Sequence, residues 1–297
     1  MIEKGKHFIT CDGYTKDTFD LLMTDIFRSD IENPKKFEIG NKRKFVANLF
    51  YEPSTRTNSS FYAAEKFLGF EVLNINEVVY SSVSKGETFE DTIRSIQTYA
   101  DCIVLRHPET GAAKRASIIS EVPIINAGDG IGEHPTQTVL DLYTIVKHFR
   151  KRKIEDLTIT LVGDLKYGRT VHGLIKILHL YGCKINLVSP HQLKLPVELL
   201  RKDDNQFLNV TDEILKETDV LYLTRVQKER GAIISAGSYS LKEEHAKILN
   251  PNAIVMHPLP RMEELPTWFD NDPRAKYFEQ MKNGLITRKY ILKKILS

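Results

Sequence analysis

Two α/β domains, each wound on both faces of a parallel sheet, with the active site in the cleft between them, are the architecture expected of this chain. Its 297 residues exceed what one ordinary hydrophobic core serves. Short apolar runs alternate with amphipathic stretches through both halves, and strands separated by helices imply parallel pairing. The polar tract Arg150-Lys151-Arg152-Lys153 interrupts this alternation and marks a border, so domains are expected over 1–149 and 150–284.

Phe19, Leu22, Met23, Ile26 and Phe27 recur at helical spacing and predict an opening helix over 16–28. The run Phe45 to Tyr51 reads as a buried strand, and Phe61, Ala64 and Leu68 place one apolar face on a following helix that Gly69 closes. Phe70 to Ile75 continues as strand and Thr88 to Ala100 as helix, with Thr88 and Asp91 spaced as a capping box. Cys102 to Leu105 and Pro123 to Asn126 are the next strands, and a longer helix starts at Pro135 and runs to about Phe149. In the second half, Thr158 to Val162, Lys184 to Val188, Val220 to Thr224 and Ala253 to Met256 read as strands. Helices are expected between them near 169–181, 196–202 and 240–249. The amphipathic end, 285–297, is expected to return to the first domain.

Bulk properties exclude several classes. A formal net charge of +3 with no isolated basic run gives no footprint for nucleic acid, so any cationic site is local. Three widely spaced cysteines, Cys11, Cys102 and Cys183, fit reduced thiols and a cytoplasmic setting better than a disulfide framework. The N-terminal residues carry no apolar signal core, and no stretch reaches membrane-span length.

The densest chemical signal is Pro53-Ser54-Thr55-Arg56-Thr57-Asn58-Ser59-Ser60, between a strand end and a helix start. Open backbone N–H groups, the positive end of the helix dipole, several hydroxyls and a forked guanidinium together suit a compact phosphate. No glycine stands in the loop, which separates it from a P-loop or a dinucleotide turn. A Ser/Thr-rich cap beside a surface arginine is the alternative for any one of these residues.

Weaker signals surround it. Ser81 and Lys85 lie in a polar loop before a helix, where lysines are commonly just solvated. Arg106 closes a strand at the end where α/β sheets bind ligands; a turn with a surface arginine is the rival reading. His134 precedes Pro135 at a helix start, where the dipole opposes an imidazolium and a neutral ring N–H is expected to polarise a carbonyl oxygen; a capping histidine is the bland alternative. Gln137 stands one turn on and suits an amide ligand. Gly163 to Thr170 nearly spells the Walker A pattern, but Arg169 replaces its lysine and no acidic strand end offers itself for magnesium. Arg169 with Arg225 and Gln227 instead suits a dicarboxylate. His257-Pro258-Leu259-Pro260 reads as a proline-rigid turn whose carbonyls suit an amide donor; a plain turn is the alternative.

These segments occur together, in order and at matching intervals over nearly the whole chain, and so the sequence resembles the aspartate carbamoyltransferase catalytic chains of the aspartate/ornithine carbamoyltransferase superfamily. The resemblance implies transfer of a carbamoyl group from carbamoyl phosphate to L-aspartate on the route to pyrimidines, with no metal or organic cofactor. It implies that 1–149 binds carbamoyl phosphate and 150–284 binds aspartate. Ser54, Thr55, Arg56 and Thr57 would hold phosphate; Thr57, Arg106 and His134 would polarise the carbamoyl oxygen; Gln137, Leu259 and Pro260 would orient its nitrogen. Arg169, Arg225 and Gln227 would hold the aspartate carboxylates, while Glu52 and Arg230 would secure domain closure. Ser81 and Lys85 would reach in from a neighbouring subunit of a homotrimer, and some relatives add a zinc-bearing regulatory chain. Ornithine carbamoyltransferases carry a cysteine where Pro258 stands here. Asn58 and Tyr62 depart from the Arg or Lys and the Glu common in relatives.

Overall fold

A computed structural model describes residues 2–31, 43–76, 86–225 and 239–297. The expected site residues Ser81, Lys85, Gln227 and Arg230 lie outside these. Internal packing divides the chain into two compact units, Met1–Tyr143 with Lys282–Ser297, and Thr144–Met281.

In the first unit, helix α1 (Lys16–Ile31) precedes β1 (Phe45–Phe50), α2 (Thr55–Phe67), β2 (Glu71–Asn76), α3 (Phe89–Ile96), β3 (Cys102–His107), α4 (Ala112–Ile119), β4 (Ile124–Asp129) and α5 (Pro135–His148). The parallel sheet runs β2-β1-β3-β4. Its order reverses between β1 and β3, the crevice where such sheets bind ligands. β1, β3 and β4 are buried almost throughout, as strands covered on both faces must be, and each opens on an apolar run before polar residues enter.

Strand β3 outruns its expected end at Leu105, because pairing with β1 continues: Phe50 faces Arg106, and the Tyr51 N–H donates to the Arg106 carbonyl at 2.9 Å. Arg106 is therefore a strand residue. α3 stops at Ile96, several residues before the expected Ala100, and a turn follows in which Thr98 Oγ1 donates to the Ser95 carbonyl. α4 left no readable stripe, since its buried face consists of Ala112, Ala113 and Ala116.

The second unit contains β5 (Thr158–Val162), α6 (Arg169–Tyr181), β6 (Lys184–Val188), β7 (Asn205–Phe207), α7 (Asp212–Glu217), β8 (Val220–Leu223), α8 (Glu243–Ile248) and β9 (Ile254–Met256); α9 (Tyr277–Leu296) follows. The strands are parallel in the order β7-β6-β5-β8-β9, with the reversal between β5 and β8. Alternate residues feed two cores: Ile159, Leu161, Val220 and Tyr222 pack with α6, while Val162, Leu221, Leu223 and Val255 pack with Ile214 and Leu215 of α7. Both faces are thus covered.

Two expectations fail here. The helix expected at 196–202 is a single 3₁₀ turn, Val197–Leu199, with Val197 80% exposed; without a buried stripe so short a segment does not propagate. The helix expected at 240–249 is confined to Glu243–Ile248. β7 and α7 went unread because three and six residues carry too little periodicity. Among the described residues no helix is long and apolar enough to cross a membrane.

Candidate active site

In the first unit the candidate residues gather at the carboxyl ends of β1, β3 and β4, adjacent strands of one sheet. Glu52 follows β1, and Ser54 stands at the N-cap of α2 with φ −156° and no side-chain capping bond. A cap hydroxyl that does not cap argues against a purely structural Ser/Thr cluster. Thr55 and Arg56 are exposed and Thr57 is buried. Asn58 is tied to β2, its Nδ2 donating to Asn74 Oδ1 at 2.9 Å. Tyr62 is 46% exposed.

Arg106 is 8% exposed. One amino group donates to the Ala127 carbonyl at 3.2 Å, and the other stands 3.1 Å from Glu52 Oε2. Burial and a carboxylate on one side hold the guanidinium in a single pose at the sheet's reversal point, which excludes the surface-turn reading.

Beyond β4 the chain turns tightly. Gly130 has φ +52°, and a Cβ there would stand 2.6 Å from Thr110 Oγ1 and 2.7 Å from the Pro108 carbonyl, so only glycine fits. Asp129 accepts from the Gly111 and Glu133 N–H groups at 3.0 and 2.8 Å. This turn delivers His134, 4% exposed, to the start of α5. Its Nδ1 lies 3.3 Å from Thr136 Oγ1; a hydroxyl donated there leaves the ring proton on Nε2. Gln137 Nε2 donates to Asp141 Oδ1 at 2.9 Å.

In the second unit Gly163 follows β5 with φ +114°, and a Cβ would come within 2.4 Å of the Thr224 carbonyl. The ends of β5 and β8 meet here, and Thr224 Oγ1 donates to the Val162 carbonyl at 3.0 Å. Asp164 is fully buried and accepts from the Tyr167 N–H at 2.9 Å. The turn ends on Arg169, the first residue of α6, while Arg225 follows β8; both are half-buried. Two candidate cations therefore flank the reversal point of this sheet as well.

After β9, His257 Nδ1 accepts from the Leu259 N–H at 2.8 Å, so Nε2 bears the proton and donates to Glu264 Oε1 at 2.9 Å. Gln280 Oε1 accepts from the His257 N–H at 3.0 Å. Burial pushes the Glu264 carboxyl up, but the bonds from His257 and from the Met262 backbone outweigh it and hold it below the usual range. Leu259, at φ +54°, precedes a cis bond to Pro260. This left-handed pose is uncommon for leucine, and such poses concentrate at functional sites.

The helix starts carry a shared electrostatic signature. Acids stand in the first turn of α1, α3, α7, α8 and α9. None does in α2, α5 or α6, at whose starts stand Arg56, His134 and Arg169; α4 is the other such helix. A cation at the positive end of a helix is unfavourable by about 0.3–1 kcal/mol unless an anion joins it. Sequence reading missed Asp141 and Glu264; only the i, i+4 spacing of Gln137 and Asp141 was open to inspection. Among the described residues no cluster of three His, Cys, Asp or Glu side chains could hold a metal ion.

Residues 6–147 match the family model of the aspartate/ornithine carbamoyltransferase carbamoyl-P binding domain, and residues 155–295 that of the Asp/Orn binding domain. The chain is 44% identical to an aspartate carbamoyltransferase catalytic subunit of Methanocella arvoryzae, over 98% of this chain and 97% of that one. It is 45% identical to the corresponding subunit of Thermoplasma acidophilum, over 94% and 93%. An aspartate transcarbamoylase from Trypanosoma cruzi, solved in complex with carbamoyl aspartate and phosphate, superposes with a TM-score of 0.90 at 37% identity, over 99% of this chain and 96% of that one. With both family models accounting for most of its length, this chain belongs to the aspartate/ornithine carbamoyltransferase family.

Proposed function

We propose that this chain is the catalytic chain of an aspartate carbamoyltransferase, transferring the carbamoyl group of carbamoyl phosphate to the amine of L-aspartate in pyrimidine synthesis. The products are N-carbamoyl-L-aspartate and phosphate. The observation that carries this reading is the cation at the positive start of both α2 and α6, each at the reversal point of its own sheet. One anion site on each unit is what a phosphorylated donor and a dicarboxylic acceptor require.

In this reading residues 1–149 bind the donor and residues 150–284 the acceptor. Ser54, Thr55, Arg56 and Thr57 hold the phosphate. Thr57, Arg106 and His134 stabilise the oxyanion that develops as the amine adds to the carbonyl carbon. The new C–N bond forms, the bond from carbon to the phosphate oxygen breaks, and the departing phosphate takes up the proton shed by nitrogen. Gln137, Leu259 and Pro260 accept from the carbamoyl N–H₂ group. Arg169, Arg225 and Gln227 grip the two aspartate carboxylates, which favours aspartate over the cationic ornithine side chain. Glu52 and Arg230 serve domain closure.

Ser81 and Lys85 are assigned to the site of a neighbouring subunit in a homotrimer, alone or joined to a regulatory chain. Three free cysteines, two of them buried, support a cytoplasmic setting.

The test is turnover. Purified protein given carbamoyl phosphate and L-aspartate releases phosphate and carbamoylated aspartate in equal amounts, and L-ornithine does not substitute; product formation with ornithine alone overturns the assignment. For the shared site, inactive Arg56→Ala and Lys85→Ala chains mixed into trimers recover partial activity, because one site in such a mixture escapes both changes.

A further inference from the structure

Three helices of the first unit meet at one buried guanidinium. Arg288 of α9 is 4% exposed; an amino group donates to Ser60 Oγ of α2 at 3.0 Å, and the guanidinium carbon lies 5.2 Å from the centre of the Phe61 ring. The carboxylate of Asp141, fully buried on α5, is the charge that acts on it. Burial still pushes Arg288 down to about 10. Space for the group is reserved: a Cβ on Gly284, one turn earlier in α9, would stand 2.7 Å from an Arg288 amino nitrogen. Glycine inside a helix costs about 1 kcal/mol relative to alanine, a cost that the guanidinium's place accounts for.

Asp141 has a second task. Its Oδ1 receives the Gln137 side-chain N–H at 2.9 Å. A carboxylate only accepts, so the partner atom is the amide nitrogen, and the amide oxygen faces the other way. We propose that Asp141 is a positioning residue for the carbamoyl group: it fixes the Gln137 amide with its oxygen turned to the ligand, while Arg288, held on α2 by Ser60 and Phe61, supplies the cation that offsets its charge. The ligand is thereby met by an acceptor, which rewards a donor bearing N–H₂ and gives nothing to one bearing methyl. This inference rests on Gln137 contacting the carbamoyl nitrogen.

Asparagine at 141 keeps the volume but can donate as well as accept, so it releases the Gln137 amide. Two probes are compared, the KM for carbamoyl phosphate and the inhibition constant of acetyl phosphate, which replaces the amino group by methyl. In Asp141→Asn the first rises about 5- to 10-fold, the worth of one hydrogen bond, and the second moves less than about 2-fold. In a Gln137→Met background the same change adds nothing to the donor KM. Equal shifts for both probes, no shift in either, or an undiminished effect without Gln137 each overturn the inference. If the single variant does not fold, Asp141→Asn with Arg288→Met removes both buried charges together and is read identically. A wild-type chain that turns over nothing defeats the carbamoyl-transfer reading itself, whereas normal turnover with unchanged donor selectivity defeats only this inference.

Discussion

The turns after β1 and after β5 occupy equivalent places, each leaving the carboxyl end of a strand at its sheet's reversal point and opening a helix, yet they are built in opposite ways. The first, Glu52 to Thr57, has no glycine and spends its side chains on hydroxyls and a guanidinium. The second, Gly163 to Arg169, uses glycine at both ends: Gly163 lets the backbone meet Thr224, and a Cβ on Gly168 would stand 2.6 Å from the Asp164 carbonyl. One turn leaves Thr55 and Arg56 exposed, while the other packs against a neighbouring strand and only then presents its arginine. Equivalent topology puts both turns where sheets of this kind take ligands, and turn chemistry decides whether backbone or side chains face that place.

The contrast breaks most visibly at Arg56. Arg56→Ala removes the only guanidinium of the first turn and is expected to lower kcat/KM by about 100- to 1000-fold with unchanged thermal stability, as steady-state kinetics and a melting curve will show. A parallel loss of stability would make the first turn structural too. Gly163→Ala should do the reverse. A Cβ meeting the Thr224 carbonyl at a φ of +114° is expected to cost about 3 kcal/mol of unfolding free energy, measured in denaturant; a fully stable variant would mean that β5 and β8 need no close approach.

The helices behind the two turns differ as well. α6 packs through Val171, Leu174, Ile175 and Leu178, all apolar. α2 buries Glu65, whose carboxyl accepts from Asn48 Nδ2 of β1 at 2.9 Å and is pushed by burial up to about 8. The folded state then keeps a proton that the unfolded chain loses above its ordinary value near 4.5. Stability from this group therefore falls as pH rises between those two values and levels off above them. Glu65→Gln should match the wild type near pH 4.5 and exceed it by about 4–5 kcal/mol at pH 8.5; identical pH profiles would remove the titrating carboxyl from the account.

The smallest effect separates two caps. Thr88 accepts from the Asp91 N–H at 3.1 Å at the start of α3, whereas Ser54 makes no such bond at the start of α2. Thr88→Ala should cost about 1 kcal/mol of stability and leave catalysis alone. Ser54→Ala should weaken inhibition by inorganic phosphate at little cost in stability, and the opposite pattern would reassign Ser54 as a helix cap.

Local pattern alone was enough for the longer strands and helices, because periodicity records which face of an element is buried, but not for α4, β7 and α7. β5 and β6 lie where the apolar spacing put them, to the residue, and α6 lies near its expected place. It also exposed the arginines at helix starts, since a charge set against a dipole is visible in a few consecutive letters. Pattern says nothing, however, of which partner covers that face. Strand order, the pairing that draws Arg106 into β3, its contact with Glu52, and the reach of Arg288 to Ser60 across 228 positions follow only once the chain has folded. Such contacts join residues far apart in sequence, and burial then raises the stakes of each one, because a charge removed from water must find its partner in space.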